Sequence, residues 1–287
     1  MADIVANTEA GVVDAVRDAR EHRRTLEIIG GGTRRSFGRP TQCDDVLDLS
    51  ALSGIVNYEP EELILTVKPG TPLDEIESVL TAKNQRLGFE PQDWRALLGT
   101  HGTPTIGGAI SANANGPATV RFGCARDHLL GFRSANGFGE AYKAGGRVVK
   151  NVTGFDLPKL MCGAMGTLGP LTELTFRVFP KSAAKIFMMA CDSNAVLRKV
   201  ASSPLEATAL LYADGNAYVR LEGALEEKTA MLRDLGDFAE VETLPSPVLP
   251  AAPFPPEPPA RAALTRAVKA AFDPLGLFNP GRMYEGV

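Results

Sequence analysis

The chain has 287 residues, a formal net charge of −4, and 44% hydrophobic and 22% charged residues. This length suits one large or two modest domains, and the composition is that of an ordinary globular protein, so wholly disordered, collagen-like and coiled-coil chains are excluded. The charge balance argues against a broadly basic nucleic-acid-binding protein. Any polyanion must therefore be held locally, by backbone amides or by a few arginines.

The cysteines give no sign of a metal centre. They form no C-x-x-C pair and have no histidine at metal-ligand spacing, so neither a zinc site nor an iron–sulfur cluster is expected within this chain. Four scattered thiols are typical of a reducing compartment; they are Cys43, Cys124, Cys162 and Cys191. The first 24 residues contain no apolar run and no stretch is long enough to span a bilayer, so a cytoplasmic protein without a signal peptide is expected.

The first half of the chain predicts alternating helices and strands. The patterns favour a helix over 7–23, strands over 26–29, 46–49 and 63–67, and a helix that begins at 71–74. Asn7 or Thr8 caps the first helix, and the second has Thr71 as N-cap and Pro72 at its first position. Residues 84–147 are rich in glycine and poor in helical periodicity. Their order must come from tertiary contacts or from a ligand.

The pattern of predicted elements changes after a strand with clear alternation of apolar and polar residues over 171–179. Between residues 185 and 244 the order is β-α-β-β-α-β, with strands over 186–190, 207–212, 217–221 and 239–243 and helices over 193–201 and 225–235. This is the order of a split-βαβ, ferredoxin-like unit. Eight prolines between 245 and 259 predict a semi-rigid linker. A last helix is expected over 261–272.

Glycine-rich segments occur three times, at 28–34 (IIGGGTR), 105–116 (TIGGAISANANG) and 163–171 (GAMGTLGPL). In the first, a strand that opens into three glycines exposes consecutive backbone N–H groups, which suit a phosphate. Arg35 stands where a G-x-G-x-x-G fingerprint needs its third glycine, and no Walker lysine follows. Alone, the first segment is better interpreted as a flexible turn, and the third is explained equally by a plain turn. The second could equally be a tightly packed strand and turn. Together they indicate a long ligand, such as a dinucleotide.

Few titratable residues stand out. In a fourth glycine-containing segment, Lys150 and Asp156 are expected to form an internal ion pair at most. His22 lies on a charged helix face and is expected to be solvated, whereas His101 and His128 flank the glycine-rich motifs and are either catalytic or structural. Four arginines are candidates for anion contacts or for surface salt bridges; they are Arg34, Arg121, Arg126 and Arg282.

The motifs in their order resemble one known family. They are GGGTR, PGTPL, FEPQD, TIGGAISANANGP, GCARDHLLG, NGFGE, GGRVVKNVTGFDLPKL, GAMGTLGPLTELTF and FDPLGLFNPGRMY. Together they resemble the FAD-binding subunits of bacterial glycolate oxidases, in the vanillyl-alcohol-oxidase-like (PCMH-type) flavoprotein superfamily. The resemblance is strong over residues 5–181 and 260–287 and weak between them. It implies an α+β fold, with a PCMH-type FAD-binding domain of two subdomains and a small ferredoxin-like cap insertion.

The resemblance also implies a division of the chain. Residues 1–181 would form the FAD-binding domain, 182–244 a shortened ferredoxin-like cap, 245–259 the proline-rich linker, and 260–287 a segment that returns to the FAD-binding domain. Relatives carry a longer cap, which helps to shape the substrate side of the flavin. The short cap weakens the case for substrate oxidation by this chain alone.

The cofactor site is carried over residue by residue. The first pyrophosphate loop would contain Ile29, Gly30, Gly31, Gly32, Thr33 and Arg34, and Pro69 and Gly70 would lie near the adenine. The pyrophosphate and ribityl chain would be surrounded by Ile106, Gly107, Gly108, Ser111, Asn113 and Gly116. The pocket would be closed by Gly166, Thr167, Leu168 and Gly169, and the residues near the flavin ring would be Asn279 and Arg282. Thr33 occupies the place of a covalently linked histidine in some relatives, so noncovalent FAD is expected. No catalytic residue is assigned.

The function implied is that of the FAD-binding subunit of a glycolate oxidase-type complex, which converts glycolate to glyoxylate. Its partners would be a sister flavoprotein subunit, which oxidises the substrate, and an iron–sulfur subunit. These partners could place it at the periphery of the inner membrane. Two alternatives stay open: a stand-alone FAD-dependent 2-hydroxy-acid dehydrogenase, and a degenerate subunit that serves only in assembly.

Overall fold

The computed structural model describes residues 2–147, 155–246 and 253–287. It begins with a three-stranded parallel sheet of order β1-β3-β2, covered by one helix. These elements are β1 (Asp3–Val5), α1 (Glu9–Glu21), β2 (Leu26–Ile29) and β3 (Asp45–Asp48). Helix α1 buries Val12 and Val16 against this sheet, because its apolar residues recur at helical spacing. Thr8, one of the two predicted caps, accepts a hydrogen bond from the N–H of Gly11.

A five-stranded antiparallel sheet of order β4-β5-β9-β7-β8 forms the second subdomain. The elements of this part are β4 (Ile55–Glu59), β5 (Ile64–Val67), α2 (Leu73–Thr81), β6 (Gln85–Arg86), α3 (Arg95–Leu98), α4 (Ile106–Ser111), α5 (Thr119–Phe122), α6 (Ala125–His128), β7 (Leu129–Ala135), β8 (Ala141–Gly145), α7 (Leu157–Met161), β9 (Leu171–Arg177) and β10 (Phe179–Pro180). The largest apolar core lies here and includes Leu65, Phe89 and Phe176.

One local prediction in this part is wrong. Pro72, and not Thr71, is the N-cap of α2. The Thr71 hydroxyl instead donates to the carbonyl of Lys68 and accepts from the N–H of Gly54, so it closes the turn before the helix.

The small residues after Thr105 form the short helix α4, so the alternative of a packed strand and turn does not describe them. The Thr105 hydroxyl caps this helix by accepting from the N–H of Gly108.

The ferredoxin-like insertion (residues 184–241) is present as a four-stranded antiparallel sheet of order β12-β13-β11-β14 with its own apolar core. Its elements are β11 (Ala184–Ala190), α8 (Ala195–Ala201), β12 (Ala209–Ala213), β13 (Asn216–Glu222), α9 (Leu225–Arg233) and β14 (Ala239–Val241). This order is that of the predicted split-βαβ unit. The exact domain boundaries stay predictions.

The C-terminal segment returns to the first sheet. Helix α10 (Pro259–Phe272) begins two residues before the predicted start at 261. Beyond it, the N–H of Leu26 donates to the carbonyl of Leu277 at 2.7 Å, and the N–H of Asn279 donates to the carbonyl of Leu26 at 3.0 Å. The last residues therefore extend the edge of the parallel sheet at β2.

A buried lysine fixes this return. Lys269 Nζ donates to Asp273 at 2.8 Å, to the carbonyl of Thr167 at 2.6 Å and to that of Phe278 at 2.8 Å. Asp273 in turn accepts from the backbone N–H groups of Leu277 and Phe278. Burial lowers the pKa of Lys269.

Some predictions cannot be compared with the structure. Lys150 and residues 247–252 of the predicted linker lie outside the described residues. Asp156, the expected partner of Lys150, pairs with Lys159 at 2.9 Å. Within the part of the chain that the structure describes, no helix is both long and apolar enough to cross a membrane.

Candidate cofactor site

A single cleft gathers the glycine-rich segments. It lies between the loop after β2, the start of α4, the loop before β9 and the C-terminal segment. The lining residues are Ile28, Ile29, Gly30, Gly31, Gly32, Thr33, Arg34, Arg35, Leu49, Pro69, Thr105, Gly107, Gly108, Ser111, Ala112, Met165, Gly166, Gly169, Leu171, Asn279 and Arg282.

The loop after β2 presents free backbone donors. Among the described residues, the N–H groups of residues 31–34 donate to no protein acceptor. Gly32 adopts a φ of 72°, and a Cβ built on it meets no atom within 4 Å, so the loop is open on that side. A run of backbone N–H groups in such a turn attracts anions. The loop can therefore hold a phosphate oxygen without any charged side chain.

The neighbouring loop (residues 99–105) packs directly on these glycines. A Cβ on Gly31 would lie 1.7 Å from the carbonyl oxygen of Thr103, so only glycine permits this approach. The Thr100 hydroxyl donates to the carbonyl of Thr33 at 2.7 Å. The glycine at position 31 is thus required by contact between two backbone segments, and not by a ligand.

Arg34 is buried at the side of the cleft, with 7% of its surface exposed. Its Nη2 donates to the carbonyl of Gln92 at 2.8 Å, and its guanidinium lies 5.0 Å from the centroid of the Trp94 ring. Its Nε and Nη1 have no hydrogen-bond partner among the described residues. Burial lowers the pKa of Arg34 to about 10, which leaves the group charged at neutral pH.

A second buried arginine lies at the C-terminal side of the cleft. Arg282 Nη1 donates to the carbonyl of Arg35 at 2.8 Å, and its Nη2 lies 3.3 Å from Glu27 Oε1. Glu27 is also held by Arg35, at 2.8 and 2.5 Å. Burial lowers the pKa of Arg282, while the hydrogen bond to Glu27 raises that of Arg35. Two arginines share one carboxylate, so this group keeps a net positive charge beside the cleft.

Asn279 joins two walls of the cleft. Its side-chain oxygen accepts from the N–H of Ile28 at 2.8 Å, and its side-chain nitrogen donates to the carbonyl of Met165 at 2.6 Å. The residue has a φ of 43°, a left-handed conformation that asparagine tolerates better than most residues. Asn279 therefore shapes the cleft by linking the loop after β2 to the loop before β9.

Most of the predicted site residues line this cleft, but six do not: Gly70, Ile106, Asn113, Gly116, Thr167 and Leu168. Several of the six serve the packing of the protein itself. A Cβ on Gly70 would lie 2.4 Å from the Leu49 carbonyl, and one on Gly116 would lie 2.4 Å from that of Glu90. The Thr167 hydroxyl donates to the carbonyl of Ala164. Contact with a cofactor stays a prediction for the residues that do line the cleft.

Sequence reasoning missed seven lining residues: Ile28, Arg35, Leu49, Thr105, Ala112, Met165 and Leu171. Thr105 could have been found, because a threonine three residues before Gly108 is a helix-cap signal. Leu49 follows β3, and Leu171 begins β9. Nothing in the local sequence of either residue distinguishes it from an ordinary core residue.

The three histidines and Arg121 lie outside the residues that line the cleft. His128 is buried between Phe89 and Phe179, and desolvation lowers its pKa. His22 and His101 are exposed, and Arg121 pairs with Glu206 at 2.8 Å. Among the residues described as lining the cleft there is no Asp, Glu or His, and the described chain holds no cluster of metal-binding side chains.

These features fit the diphosphate of the FAD that the resemblance implies. The loop after β2 offers free N–H donors, and Arg34 offers two buried nitrogen atoms that have no partner among the described residues. When bound, FAD would supply a two-electron redox centre, while the protein supplies binding and orientation.

Two of the sequence relatives of this chain are subunits of glycolate oxidases. Glycolate oxidase subunit GlcE of Escherichia coli (strain K12) is 35% identical over 216 residues, which are 74% of this chain and 60% of that protein. Glycolate oxidase subunit GlcD of Bacillus subtilis (strain 168) is 32% identical over 176 residues, which are 61% of this chain and 36% of that protein. The chain thus spans less than two thirds of the length of these relatives.

The fold has a counterpart among solved structures. An alkyldihydroxyacetonephosphate synthase superposes with a TM-score of 0.66 at 16% identity, over 81% of this chain and 49% of that one. The family model described as FAD binding domain matches residues 2–145, which carry both the loop after β2 and helix α4. The chain therefore belongs to the FAD-binding domain family.

Proposed function

We propose that the chain is the FAD-binding subunit of a glycolate oxidase-type complex and that it holds FAD noncovalently. Two observations together support the proposal: the family to which the chain belongs and the geometry of the cleft. The chain belongs to the FAD-binding domain family, and the segments that resemble glycolate oxidase subunits surround one cleft with free backbone donors. Thr33 lines this cleft at the position where some relatives have a histidine that is covalently linked to the flavin. A threonine cannot form that histidyl linkage.

The cleft favours a role as a subunit over that of a stand-alone dehydrogenase. Oxidation of glycolate to glyoxylate removes two electrons and two protons, and a base must accept the hydroxyl proton. No carboxylate or imidazole is found among the described lining residues, which leaves Ser111 and Thr105 as the hydroxyl-bearing side chains nearest the start of α4. Proton abstraction is therefore assigned to a sister flavoprotein subunit, and this chain is assigned flavin binding with electron transfer or structural support.

The partners follow from the same proposal. They are a catalytic flavoprotein subunit and an iron–sulfur subunit that accepts electrons, since the described residues of this chain offer no metal-binding cluster of their own. A cytoplasmic location, peripheral to the inner membrane through these partners, belongs to the proposal as well.

The test is to purify the chain alone and with its co-purifying subunits, and then to measure released flavin and glycolate turnover with an artificial electron acceptor. FAD in the isolated chain, with turnover that appears only on mixing, is the expected result. Turnover by the isolated chain would establish the stand-alone enzyme. A chain that binds no flavin yet is needed for assembly would establish the degenerate subunit.

A further inference from the structure

Glu90 has a strained backbone conformation. Its φ is 44°, in the left-handed region that residues with a side chain rarely adopt, and Pro91 follows it. A residue before a proline is normally extended, because the proline ring crowds the other conformations. Asn279 also combines a positive φ with a following proline, but asparagine tolerates the left-handed region better than glutamate does. Contacts with other parts of the chain must therefore hold Glu90 in this form.

The side chain of Glu90 makes these contacts. Its Oε2 accepts from Arg220 of the ferredoxin-like insertion at 2.9 Å and from the backbone N–H of Ala118, before α5, at 3.2 Å. Its Oε1 accepts from Arg86 of β6 at 3.3 Å. Hydrogen bonds between charged groups are the stronger ones in proteins. The insertion thus helps to hold a strained residue of the FAD-binding part.

The residues directly after Glu90 support Arg34 in the wall of the cleft. The Gln92 carbonyl accepts from Arg34 Nη2 at 2.8 Å, and the Trp94 ring lies 5.0 Å from the guanidinium. Within the described part of the chain, no other hydrogen bond reaches the Arg34 side chain. Pro91 has a fixed φ, so it cannot absorb a rotation of the backbone at Glu90. Such a rotation would therefore turn the Gln92 carbonyl and the Trp94 ring away from Arg34.

We propose that Glu90 is a positioning residue, through which the ferredoxin-like insertion holds residues 90–94 against Arg34 in the cleft. The inference rests on the proposed function, because it takes FAD as the ligand of that cleft. When Arg220 withdraws, Glu90 returns to the extended form and Arg34 loses its support. A partner subunit that moves the insertion would then change the FAD affinity of the cleft. Bound FAD would stabilise the contact between Glu90 and the insertion by the same factor.

The first experiment uses Trp94, the single tryptophan of the chain, as a reporter in the apoprotein. Glu90→Ala and Glu90→Gly remove the same side-chain contacts, but only glycine adopts the left-handed φ without strain. In Glu90→Ala, tryptophan emission should shift to longer wavelength and acrylamide quenching should increase, while the far-ultraviolet circular dichroism stays that of the wild type. Glu90→Gly should lie closer to the wild type in both measurements.

The matched control is Glu206→Gln. This substitution breaks the exposed salt bridge with Arg121, which also ties the insertion to the FAD-binding part but does not involve residues 90–94. The emission and the quenching of Trp94 should equal those of the wild type.

The second experiment measures FAD affinity by flavin fluorescence in a double-mutant cycle of Glu90→Ala and Arg34→Gln. Glu90→Ala should weaken FAD binding by about 5-fold or more in the wild-type background. In the Arg34→Gln background it should have little further effect, because residues that act through one another are not additive. Glu90→Gly should restore part of the affinity, and Glu206→Gln should bind FAD as the wild type does.

Two results would overturn the inference. One is an unchanged Trp94 signal in Glu90→Ala, and the other is a pair of effects on FAD affinity that simply add. A wild-type protein that binds no FAD would instead overturn the proposed function, and the Trp94 signal would still decide whether Glu90 holds residues 90–94.

Discussion

Glycines in this chain either permit close contact between two backbone segments or leave space in the cleft, and the sequence alone does not distinguish these two roles. At Gly31 an added Cβ would meet a backbone oxygen at 1.7 Å, whereas at Gly108 the nearest atom is Thr105 Oγ1 at 3.4 Å, an ordinary contact. Glycine at position 108 is therefore not demanded by the described protein. The space beside it belongs to the cleft.

This difference predicts the result of filling that space. Gly108→Trp should abolish flavin retention, because the indole would occupy the cleft beside Arg34. Flavin content per polypeptide, measured after gel filtration, checks this. Gly146→Trp is the matched control, since a Cβ there meets no atom of the described residues within 4 Å and the residue is not among those that line the cleft. Full flavin occupancy in Gly108→Trp would place the ligand elsewhere.

Lys269 predicts a large effect on stability from a single side chain. Lys269→Met leaves the buried Asp273 without its cation and two carbonyl groups without a donor, so the free energy of unfolding should fall by about 3–5 kcal/mol. Denaturant unfolding of the apoprotein measures this. Lys159→Met, in the exposed pair with Asp156, should change stability by less than about 1 kcal/mol. Equal effects of the two substitutions would contradict the assignment of Lys269 as an anchor.

At the scale of elements, one carboxylate ties the parallel sheet's helix to the antiparallel sheet. Glu9, in the first turn of α1, accepts from Arg133 of β7 at 2.8 and 2.5 Å and from the Thr172 hydroxyl of β9 at 2.7 Å. The hydrogen bond from Arg133 is the main cause that lowers the pKa of Glu9 below its ordinary 4.5. The ionised form of Glu9 is therefore favoured in the folded state.

The pH dependence of stability follows from that direction. Because the folded pKa of Glu9 is lower than the unfolded one, its stabilisation is complete above pH 4.5 and is lost as the pH falls through the folded value. Glu9→Gln should cost roughly 1–3 kcal/mol near neutral pH, and the difference from the wild type should shrink below pH 4.5. Denaturant unfolding across pH 3–7 checks this, with Glu21→Gln at the exposed end of α1 as control. A difference that is independent of pH would contradict it.

Prediction of elements succeeded where the apolar period was clear. The periodicity of α1 and the alternation of β9 indicated both elements to within a few residues. Strands β7 and β8 lie in the glycine-rich region and were not predicted, since the pairing of β7 with β9 and of β8 with β7 supplies the order that local preference lacks. Thr71 looked like a helix cap because a threonine before a proline fits that pattern, yet its hydroxyl is used by the preceding turn.

At the scale of the whole molecule, a partly buried ring of four charges joins the ferredoxin-like insertion to the FAD-binding part. Arg86 of β6 donates to Glu222 of β13 at 2.9 and 2.6 Å, and Arg220 of β13 donates to Glu90 at 2.9 Å. The two arginines and two glutamates balance, so the ring is neutral. It fixes the insertion without a net buried charge.

Removing one member should therefore be costly. Glu222→Gln leaves two half-buried arginines facing one carboxylate, and the free energy of unfolding should fall by about 1–3 kcal/mol. Calorimetry should also resolve the insertion as a separate, earlier transition. Glu240→Gln, in an exposed pair with Lys185 on the same insertion, is the matched control and should cost less than about 1 kcal/mol. A single unshifted transition in Glu222→Gln would show that the ring is dispensable.

The cleft as a whole was predicted better than its individual walls. The resemblance assigned residues 29–34, Gly107, Gly108, Asn279 and Arg282 to one site because the order of motifs reflects the fold. All of these residues line the cleft. The pairing of Asn279 with Ile28 and Met165, and the absence of a salt bridge at Arg34 among the described residues, depend on long-range packing. No local pattern in one sequence contains that information.

The hydrogen bonds between Leu26 and the segment at 277–279 have a consequence for biosynthesis. Asn279 lies 251 residues beyond Ile28 in the sequence, so a ribosome must translate past residue 279 before the two can meet. A nascent chain that has emerged only through β9 would contain every glycine-rich motif and still lack this last contact. The cleft therefore closes only after residues 277–279 have left the ribosome.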